Sequence, residues 1–192
     1  MIKTQDRSGW FGASDTKYIM SDNHDTLTWK RWWSQKLGSG EVLANDNIYT
    51  RTGTMFEHPI LEAVGDDIET DGQIIIRDKR LRVNYDGYKD GVIYEVKTHK
   101  ADKEFKVTKE YYGQCQVEMY VYKQMAYKWF LPEFKHLYIV SYPLYDDDYR
   151  TSEPMVDPNR ISQEMIPYDE KFIKDYLKRL KKLAKSLEKF QT

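Results

Sequence analysis

The sequence predicts an α+β fold in a single domain spanning residues 1–192. Apolar residues make up 40% of the chain and charged residues 32%, which is enough apolar surface to build one core. Apolar residues recur every three or four positions near both ends of the chain, whereas strand-like alternation dominates its middle. Neither an internal repeat nor a linker-like stretch divides the chain, so we expect one domain.

Three helices are expected in the first third of the chain. A short helix begins near Ser14, which is a candidate N-cap, and a second helix covers residues 25–37. A third helix covers residues 48–64 and contains Pro59. Because proline removes the hydrogen bond to the carbonyl four residues back, we expect a bend near Met55.

The middle of the chain predicts an antiparallel meander of three strands. Residues 73–77, 81–86 and 92–97 are β-rich or alternating, and Lys89-Asp90-Gly91 supplies a tight turn before the third strand. The predicted elements after the meander are a long helix (104–130), a strand (136–144), an exposed acidic loop (145–158) and an amphipathic helix (169–190).

Charge and cysteine content exclude several classes of protein. Thirty Lys and Arg residues against 31 Asp and Glu residues leave a net charge of -1, so any nucleic-acid contact needs a local basic patch. The single cysteine, Cys115, excludes a disulfide framework, a four-thiolate zinc site and an iron–sulfur cluster built from this chain alone.

We expect no membrane association, because neither a signal peptide nor an apolar run of about 18 residues is found. Four histidines have no zinc-ligand spacing and are interpreted as ordinary: His24, His58, His99 and His136.

The segment from Asp86-Gly87 to Glu95-Val96-Lys97 carries the candidate chemistry. Glu95 and Lys97 are two residues apart on a strand, so both side chains leave the same face of the sheet. The hairpin brings Asp86 beside them, and carboxylate oxygens suit the hard cations Mg²⁺ and Mn²⁺. Lys97 stays protonated beside two anions, so we expect it to position the attacking water or to stabilise charge on a phosphate.

A salt bridge on a solvated face explains the same Glu-x-Lys tripeptide without catalysis. The tripeptide occurs twice more, in Glu104-Phe105-Lys106 and Glu133-Phe134-Lys135, so it is no evidence by itself. The segment at 95–97 differs because it follows a strand that ends in Asp-Gly across a tight turn. From this segment alone, both interpretations stay open.

Four segments of the chain match, in order, the motifs of one known family. They are RSGWFGASD (7–15), GTMFEHP (53–59), the Asp86-Gly87 and Glu95-Val96-Lys97 pair, and YYGQCQVEM (111–119). Together they resemble the lambda exonuclease / YqaJ viral recombinase family of PD-(D/E)XK nucleases. The resemblance implies a restriction-endonuclease-like core, with a central mixed sheet that contains the antiparallel meander and is flanked by helices.

The resemblance also implies a metal site. Asp86 and Glu95 would be the principal Mg²⁺ ligands, and the backbone carbonyl of Val96 would be a further one. Lys97 would be catalytic.

The remaining motifs complete the implied site. Glu57 and Gln114 would hold waters of the metal ion or orient the catalytic lysine, which adds Glu57 to the metal-binding set. Arg7 and Ser14 match positions that bind the 5′-phosphate of a DNA end, and Asn84 replaces a phosphate-contacting serine of the family. From the residues alone, Glu57 also fits a solvated helix surface and Ser14 also fits an ordinary helix cap.

Two basic surfaces each allow two interpretations. Lys30, Arg31 and Lys36 beside tryptophans fit either the lining of a DNA groove or the outer face of an amphipathic helix. The lysine-rich final helix fits either a solvated face or a contact with the DNA backbone.

The function implied by the resemblance is a Mg²⁺-dependent exonuclease, with Mn²⁺ as a substitute, acting on linear double-stranded DNA. It would digest 5′-to-3′ and leave 3′ single-stranded tails for phage-type homologous recombination. Implied partners are DNA ends, a single-strand annealing protein and further copies of the chain in a trimeric ring. The expected location is cytoplasmic, in a bacterial host if the chain is phage-encoded. Two alternatives stay open, namely an endonuclease or nickase on the same core and a non-catalytic DNA-binding module.

Overall fold

A computed structural model of the chain describes residues 7–39 and 47–191. The helices are α1 (Thr16–Ile19), α2 (Leu27–Lys36), α3 (Ile48–Val64), α4 (Lys109–Met125) and α5 (Glu170–Gln191). The strands are β1 (Glu69–Ile76), β2 (Leu81–Lys89), β3 (Val92–Lys100), β4 (His136–Leu144) and β5 (Ser162–Met165). In the described part of the chain, every helix is too short or too polar to cross a membrane.

The five strands form one mixed sheet in the order β1-β2-β3-β4-β5. The pairs β1–β2 and β2–β3 are antiparallel, which confirms the predicted meander, and β3–β4 is parallel. The antiparallel edge strand β5 is absent from the sequence prediction. Its four residues are all exposed, so they carry no alternation of apolar and polar side chains that would mark a strand.

Helices cover both faces of the sheet. On β4, Ile139 belongs to a large core with α4 and α5, whereas its neighbour Val140 packs in a second core with α3. Successive strand residues point to opposite faces, so this alternation places α4 and α3 on opposite sides of β3 and β4. The residues of β3 therefore have a helix above and a helix below them.

Helix α4 is shorter than the predicted helix over 104–130. The Thr108 hydroxyl accepts a hydrogen bond from the backbone N–H of Tyr111 at 3.2 Å, and this cap begins the helix at Lys109. The helix ends at Met125, so Trp129, which falls within the predicted bounds, lies beyond the helix and is exposed. The apolar spacing continues past the helix end, and periodicity alone does not mark the boundary.

A buried ion pair fixes the amino-terminal motif to α2. The Lys36 ammonium lies 2.5 Å from Asp15 Oδ2, and the indole N–H of Trp32 donates to Asp15 Oδ1 at 2.7 Å. Both Lys36 and Asp15 are buried, so Lys36 neither lines a DNA groove nor belongs to a basic outer face of the helix, and both interpretations are wrong for this residue. The interpretation of Ser14 as a helix cap is wrong, because Ser14 lies inside a 3-10 turn (Ala13–Asp15). At the start of this turn, the backbone N–H of Gly12 donates a hydrogen bond to Asp15 Oδ2.

We expect Lys36→Met to lower the free energy of unfolding by about 3–5 kcal/mol, because it leaves the Asp15 carboxylate buried without its cation. Urea denaturation measures the change. Lys30→Met is the matched control on the same helix, since Lys30 pairs with Asp25 at 3.3 Å on the exposed surface and such pairs contribute about 1 kcal/mol or less. Equal effects of the two substitutions would contradict a structural role for the buried pair.

Candidate active site

The strands β2 and β3 separate where the candidate residues lie. On β2, the residues that pair with β3 are Gly87, Tyr88 and Lys89. Asp86 immediately precedes Gly87 and is therefore the first residue of β2 beyond the paired region. Asp86 Oδ2 accepts a hydrogen bond from the backbone N–H of Val96 at 2.8 Å across the opening. The Asp86 side chain thus replaces a backbone partner on the β2 side of β3 and is fixed in position by it.

Gly87 brings α3 close to this opening. A Cβ atom at Gly87 would lie 2.8 Å from Ile68 Cγ2, which is closer than real Cβ contacts, and 3.0 Å from Leu61 Cδ2, which is tighter than most of them. A side chain here would push α3 outward, and α3 also carries Glu57. The glycine of the Asp-Gly pair is therefore required by close packing between the sheet and α3.

Glu95 is the buried centre of the candidate site, with only 2% of its surface exposed. Its Oε1 atom accepts hydrogen bonds from the Lys97 ammonium and from Gln114 Nε2, the latter at 2.6 Å. Gln114 lies in the second turn of α4, so one contact crosses from the sheet to the helix. The interpretation of Glu95 and Lys97 as a salt bridge on a solvated face is wrong, because Glu95 has almost no solvent contact.

Negative charge is concentrated around the strand opening. Burial raises the pKa of Asp86 well above its ordinary value, and the nearby Glu95 and Glu57 carboxylates raise this pKa further. Burial followed by repulsion from Glu95 also raises the pKa of Glu57. Glu57 is therefore electrostatically coupled to the strand residues, which is inconsistent with an isolated carboxylate on a solvated helix face.

The lysine of the site stays charged. Burial alone would lower the pKa of Lys97, but the adjacent Glu95 and Asp86 carboxylates outweigh burial and hold its pKa above the ordinary value. The ammonium group also lies 5.1 Å from the centre of the Tyr111 ring. Lys97 is thus a permanent cation and hydrogen-bond donor rather than a proton acceptor.

Glu118 belongs to the site, and the sequence analysis assigned no role to it. It is fully buried on α4 and its Oε1 atom accepts from Gln114 Nε2 at 2.9 Å. In the described part of the chain its Oε2 atom has no hydrogen-bond partner, and burial followed by repulsion from Glu95 raises the pKa of Glu118 well above its ordinary value. The spacing of four residues from Gln114 places both on one helix face, which is the only indication in the sequence.

A cavity of about 600 Å³ adjoins this buried set at Asp86. The cavity collects side chains from three of the four motifs and from β1: Arg7, Glu57, His58, Asp71, Asn84 and Asp86. Glu95 and Lys97 do not line this cavity, and they are linked to it through Val96, whose N–H group binds Asp86. Ser14 is exposed and does not line the cavity, which separates it from the other predicted phosphate-binding residues.

The two remaining predicted phosphate-binding residues both line the cavity wall. The amide oxygen of Asn84 accepts a hydrogen bond from Gln73 Nε2 at 2.8 Å, which leaves the Asn84 NH₂ group as a donor. Arg7 is exposed and brings a guanidinium group to the same cavity. Both residues offer donors that suit an anion, and contact of each with a phosphate stays a prediction.

His58 and Asp71 lie beside Glu57, although His58 is interpreted from the sequence as ordinary and no sequence pattern indicates a role for Asp71. His58 Nε2 lies 3.2 Å from Asp71 Oδ2, and one ligand atom each from Glu57, His58 and Asp71 lie within 4.8 Å of one another. Asp71 is on β1 and the other two residues are on α3, so only the fold brings them together. No spacing along the chain links Asp71 to the other two residues, so this cluster is not predictable from sequence pattern.

A divalent metal ion needs several ligand atoms close to one another, and carboxylate oxygens are the preferred ligands of Mg²⁺ and Mn²⁺. Among the described residues, the group of three acidic or histidine ligand atoms that lie close enough together is the cluster around His58. Joint ligation by Asp86, Glu95 and Glu57 stays a prediction. Burial and mutual repulsion raise the pKa of Asp86 and Glu57, and a bound cation would relieve that repulsion. The N–H group of Val96 donates a hydrogen bond to Asp86, whereas binding of a metal ion by the Val96 carbonyl stays a prediction.

Comparisons with known proteins identify the fold. No protein-family model matches the sequence, and no curated protein matches it. The crystal structure of an alkaline exonuclease, LHK-Exo from Laribacter hongkongensis, is similar with a TM-score of 0.64 at 18% identity, covering 95% of this chain and 90% of that one. The complex of LHK-Exo with dAMP has a TM-score of 0.62 at 19% identity, with the same coverage.

A phage-related exonuclease from Haemophilus somnus 129PT is also similar. Its crystal structure has a TM-score of 0.63 at 15% identity, covering 95% of this chain and 96% of that chain. These similarities extend over nearly the whole length of each protein. They confirm the predicted α+β fold.

We expect Asp86→Asn to stabilise the metal-free protein at about pH 8 by about 0.5–2 kcal/mol, since it removes a repelled charge from a functional site. The raised pKa makes folded Asp86 keep its proton above the ordinary value of 3.8, so the folded state binds more protons than the unfolded state. The free energy of unfolding of the unsubstituted protein should therefore fall as pH rises from about 4 through the raised pKa. The variant should lose this part of the pH dependence.

Urea denaturation in EDTA at about pH 5 and about pH 8 measures this difference. Asp78→Asn is the control, because a hydrogen bond from Lys79 lowers the pKa of Asp78, and its substitution should not stabilise the protein at high pH. The expectation fails if Asp86→Asn and the unsubstituted protein show the same change between the two pH values.

Proposed function

We propose that the chain, as a single domain, is a divalent-metal-dependent DNA nuclease that removes nucleotides from the ends of linear double-stranded DNA. One observation carries the proposal, namely the buried arrangement in which Glu95 binds both Lys97 and Gln114 beside Asp86 at the strand opening. The fold similarity to an alkaline exonuclease and to a phage-related exonuclease supports the same activity.

Each side chain of the site has a separate role in phosphodiester hydrolysis. Asp86 and Glu95 would hold Mg²⁺ or Mn²⁺, together with Glu57 and the Val96 carbonyl. When bound, such an ion polarises the phosphodiester and lowers the pKa of a water molecule that attacks it. Gln114 keeps the Glu95 carboxylate oriented by donating to it from the opposite layer of the fold.

Lys97 provides positive charge at the reacting phosphate. Its ammonium group is fixed by Glu95 and keeps its proton, because the neighbouring carboxylates hold its pKa above the ordinary value. A permanently charged donor stabilises the negative charge that develops on phosphate oxygens, and it orients the attacking water by a hydrogen bond. Lys97 therefore acts as an electrostatic catalyst rather than as a general base.

A terminal phosphate subsite accounts for action at DNA ends. Arg7 and Asn84 line the cavity beside Asp86, and a guanidinium group and an amide NH₂ group both suit a phosphate. Ser14 remains part of this proposal through the resemblance, although it does not line the cavity. The dAMP complex of the similar exonuclease is compatible with release of single nucleotides.

The finer properties are proposed from the family resemblance. They are 5′-to-3′ polarity, 3′ single-stranded tails for phage-type recombination, a single-strand annealing partner and a trimeric ring around DNA. Mg²⁺ is the proposed ion, with Mn²⁺ as a substitute, and the cytoplasm of a bacterial host is the proposed location.

Purified protein should release the label from linear duplex DNA that carries labelled 5′ ends, with Mg²⁺ and not with EDTA. Lys97→Ala and Glu95→Ala should each lower the rate at least about a hundredfold, since each removes preorganised charge from the reacting centre. Lys135→Ala is the matched control, because it changes the exposed lysine of another Glu-x-Lys tripeptide.

Loss of 5′ label by the Lys97 and Glu95 variants at the unsubstituted rate would refute the proposed site. Covalently closed circular DNA separates the exonuclease from the endonuclease or nickase alternative, since an enzyme that needs ends should leave circles intact. Rapid cutting of circles would support that alternative instead.

Addition of Mg²⁺ should raise the thermal stability of the protein, because an ion that binds only the folded state stabilises it. At 100 times the dissociation constant, the gain is about 2.7 kcal/mol. We expect Asp86→Asn to lose most of the shift in the unfolding midpoint and Asp78→Asn to keep it. Absence of both the shift and any DNA cleavage would favour the non-catalytic DNA-binding module.

A further inference from the structure

A row of aromatic rings leads away from the lysine of the site. The Lys97 ammonium lies 5.1 Å from the ring centre of Tyr111, and that ring is nearly parallel to Phe105, with 11° between planes and 6.1 Å between centres. Phe105 in turn lies 5.5 Å from His99. The three rings are half-buried, and together with Lys97 they form one continuous series of contacts.

The backbone explains why this row begins at Lys97. Lys97 and His99 are two residues apart on β3, so they lie on the same face of the strand and about 6.6 Å apart along it. Phe105 belongs to the segment between β3 and α4, and Tyr111 lies in the first turn of α4. The row is therefore built on elements that also carry Glu95 and Gln114.

A second cavity of about 600 Å³ lies at the far end of this row. His99 and Phe105 contribute to its wall, and so does Tyr145, which is 55% exposed. The guanidinium group of Arg160 lies 5.1 Å from the ring centre of Tyr145 and lines the same cavity. The cavity thus combines aromatic rings with a guanidinium plane, which are the surfaces on which nucleobases stack.

The charges around this cavity favour an uncharged occupant. Lys103 and Arg160 are offset by Glu104 and Glu164, and Arg160 is also paired with Asp148 at 3.0 Å. A phosphate subsite needs an excess of positive charge, which this cavity lacks. Hydroxyl and amide groups that suit the polar edge of a base are present in Ser141, Ser162 and Gln163.

We propose that this cavity accepts an unpaired nucleobase of the DNA strand whose backbone passes Lys97. A volume of about 600 Å³ is within the range of small-molecule sites and accommodates a planar base. Stacking against His99, Phe105 and Tyr145 would keep the end of the strand separated from its complement. This inference rests on the proposed nuclease function and deepens it, because it assigns a second contact to the strand being cut.

The binding test uses a duplex with a 5′ single-stranded overhang about four nucleotides long, in EDTA so that no cleavage occurs. 2-Aminopurine, whose fluorescence is quenched by stacking, replaces each overhang base in turn. We expect quenching at one position with the unsubstituted protein. His99→Ala and Tyr145→Ala should each reduce this quenching and weaken binding about fivefold or more, as expected for loss of one stacked base.

His24→Ala is the matched control. His24 also stacks on an aromatic ring, Trp29, at 4.3 Å between ring centres, but it lines a different cavity beside α5. Its substitution should leave both quenching and affinity unchanged. Because Tyr145 is largely exposed, Tyr145→Ala tests the cavity without removing a core side chain.

An overhang with an abasic residue at the quenched position completes the test. Removal of the base should weaken binding to the unsubstituted protein about fivefold or more, and Tyr145→Ala should cause no further loss on the abasic strand. If Tyr145→Ala weakens the normal and abasic strands by the same factor, or if no position is quenched, the base site is refuted.

Failure of this inference is distinguishable from failure of the proposed function. Mg²⁺-dependent release of 5′ label together with unchanged quenching in both variants would refute the base site alone. Position-specific quenching that both variants reduce, without cleavage in Mg²⁺, would support the base site and refute the nuclease.

Discussion

The candidate site depends on one hydrogen bond, from the backbone N–H of Val96 to the carboxylate of Asp86 at 2.8 Å. Antiparallel strands normally satisfy each other's backbone groups, but β2 and β3 separate at Asp86. A side chain takes the place of the missing strand partner and holds a carboxylate at the opening. The same bond ties Asp86 to the residue between Glu95 and Lys97, so it joins the two strands of the site where their backbone pairing ends.

This arrangement concentrates negative charge in a buried site. Asp86, Glu57 and Glu118 all have a raised pKa because burial and repulsion act in the same direction. The Lys97 cation and the neutral donors of Gln114 and Val96 compensate only part of this charge. Such incomplete compensation is typical of sites that bind a cation, where stability is lower until the ion is present.

The extent to which sequence predicts this protein differs between its elements. The bounds of α3 and β4 are predicted correctly because their apolar patterns begin and end sharply. The cap at Thr108 and the exposed strand β5 are missed, since neither changes the apolar pattern. The Glu95 and Lys97 pair is predictable from strand alternation, whereas Asp71 and Glu118 become recognisable only when the fold brings β1 and α4 to the opening.

Gly87 has a consequence for how this site tolerates change. The contact between the sheet and α3 has no room for even a methyl group at this position, since Leu61 and Ile68 occupy the space. The spacing between sheet and helix is thus matched to the smallest residue in the chain. A larger residue at position 87 would have to displace Leu61 and Ile68, so its cost would arise from packing between two layers of the fold rather than from turn geometry.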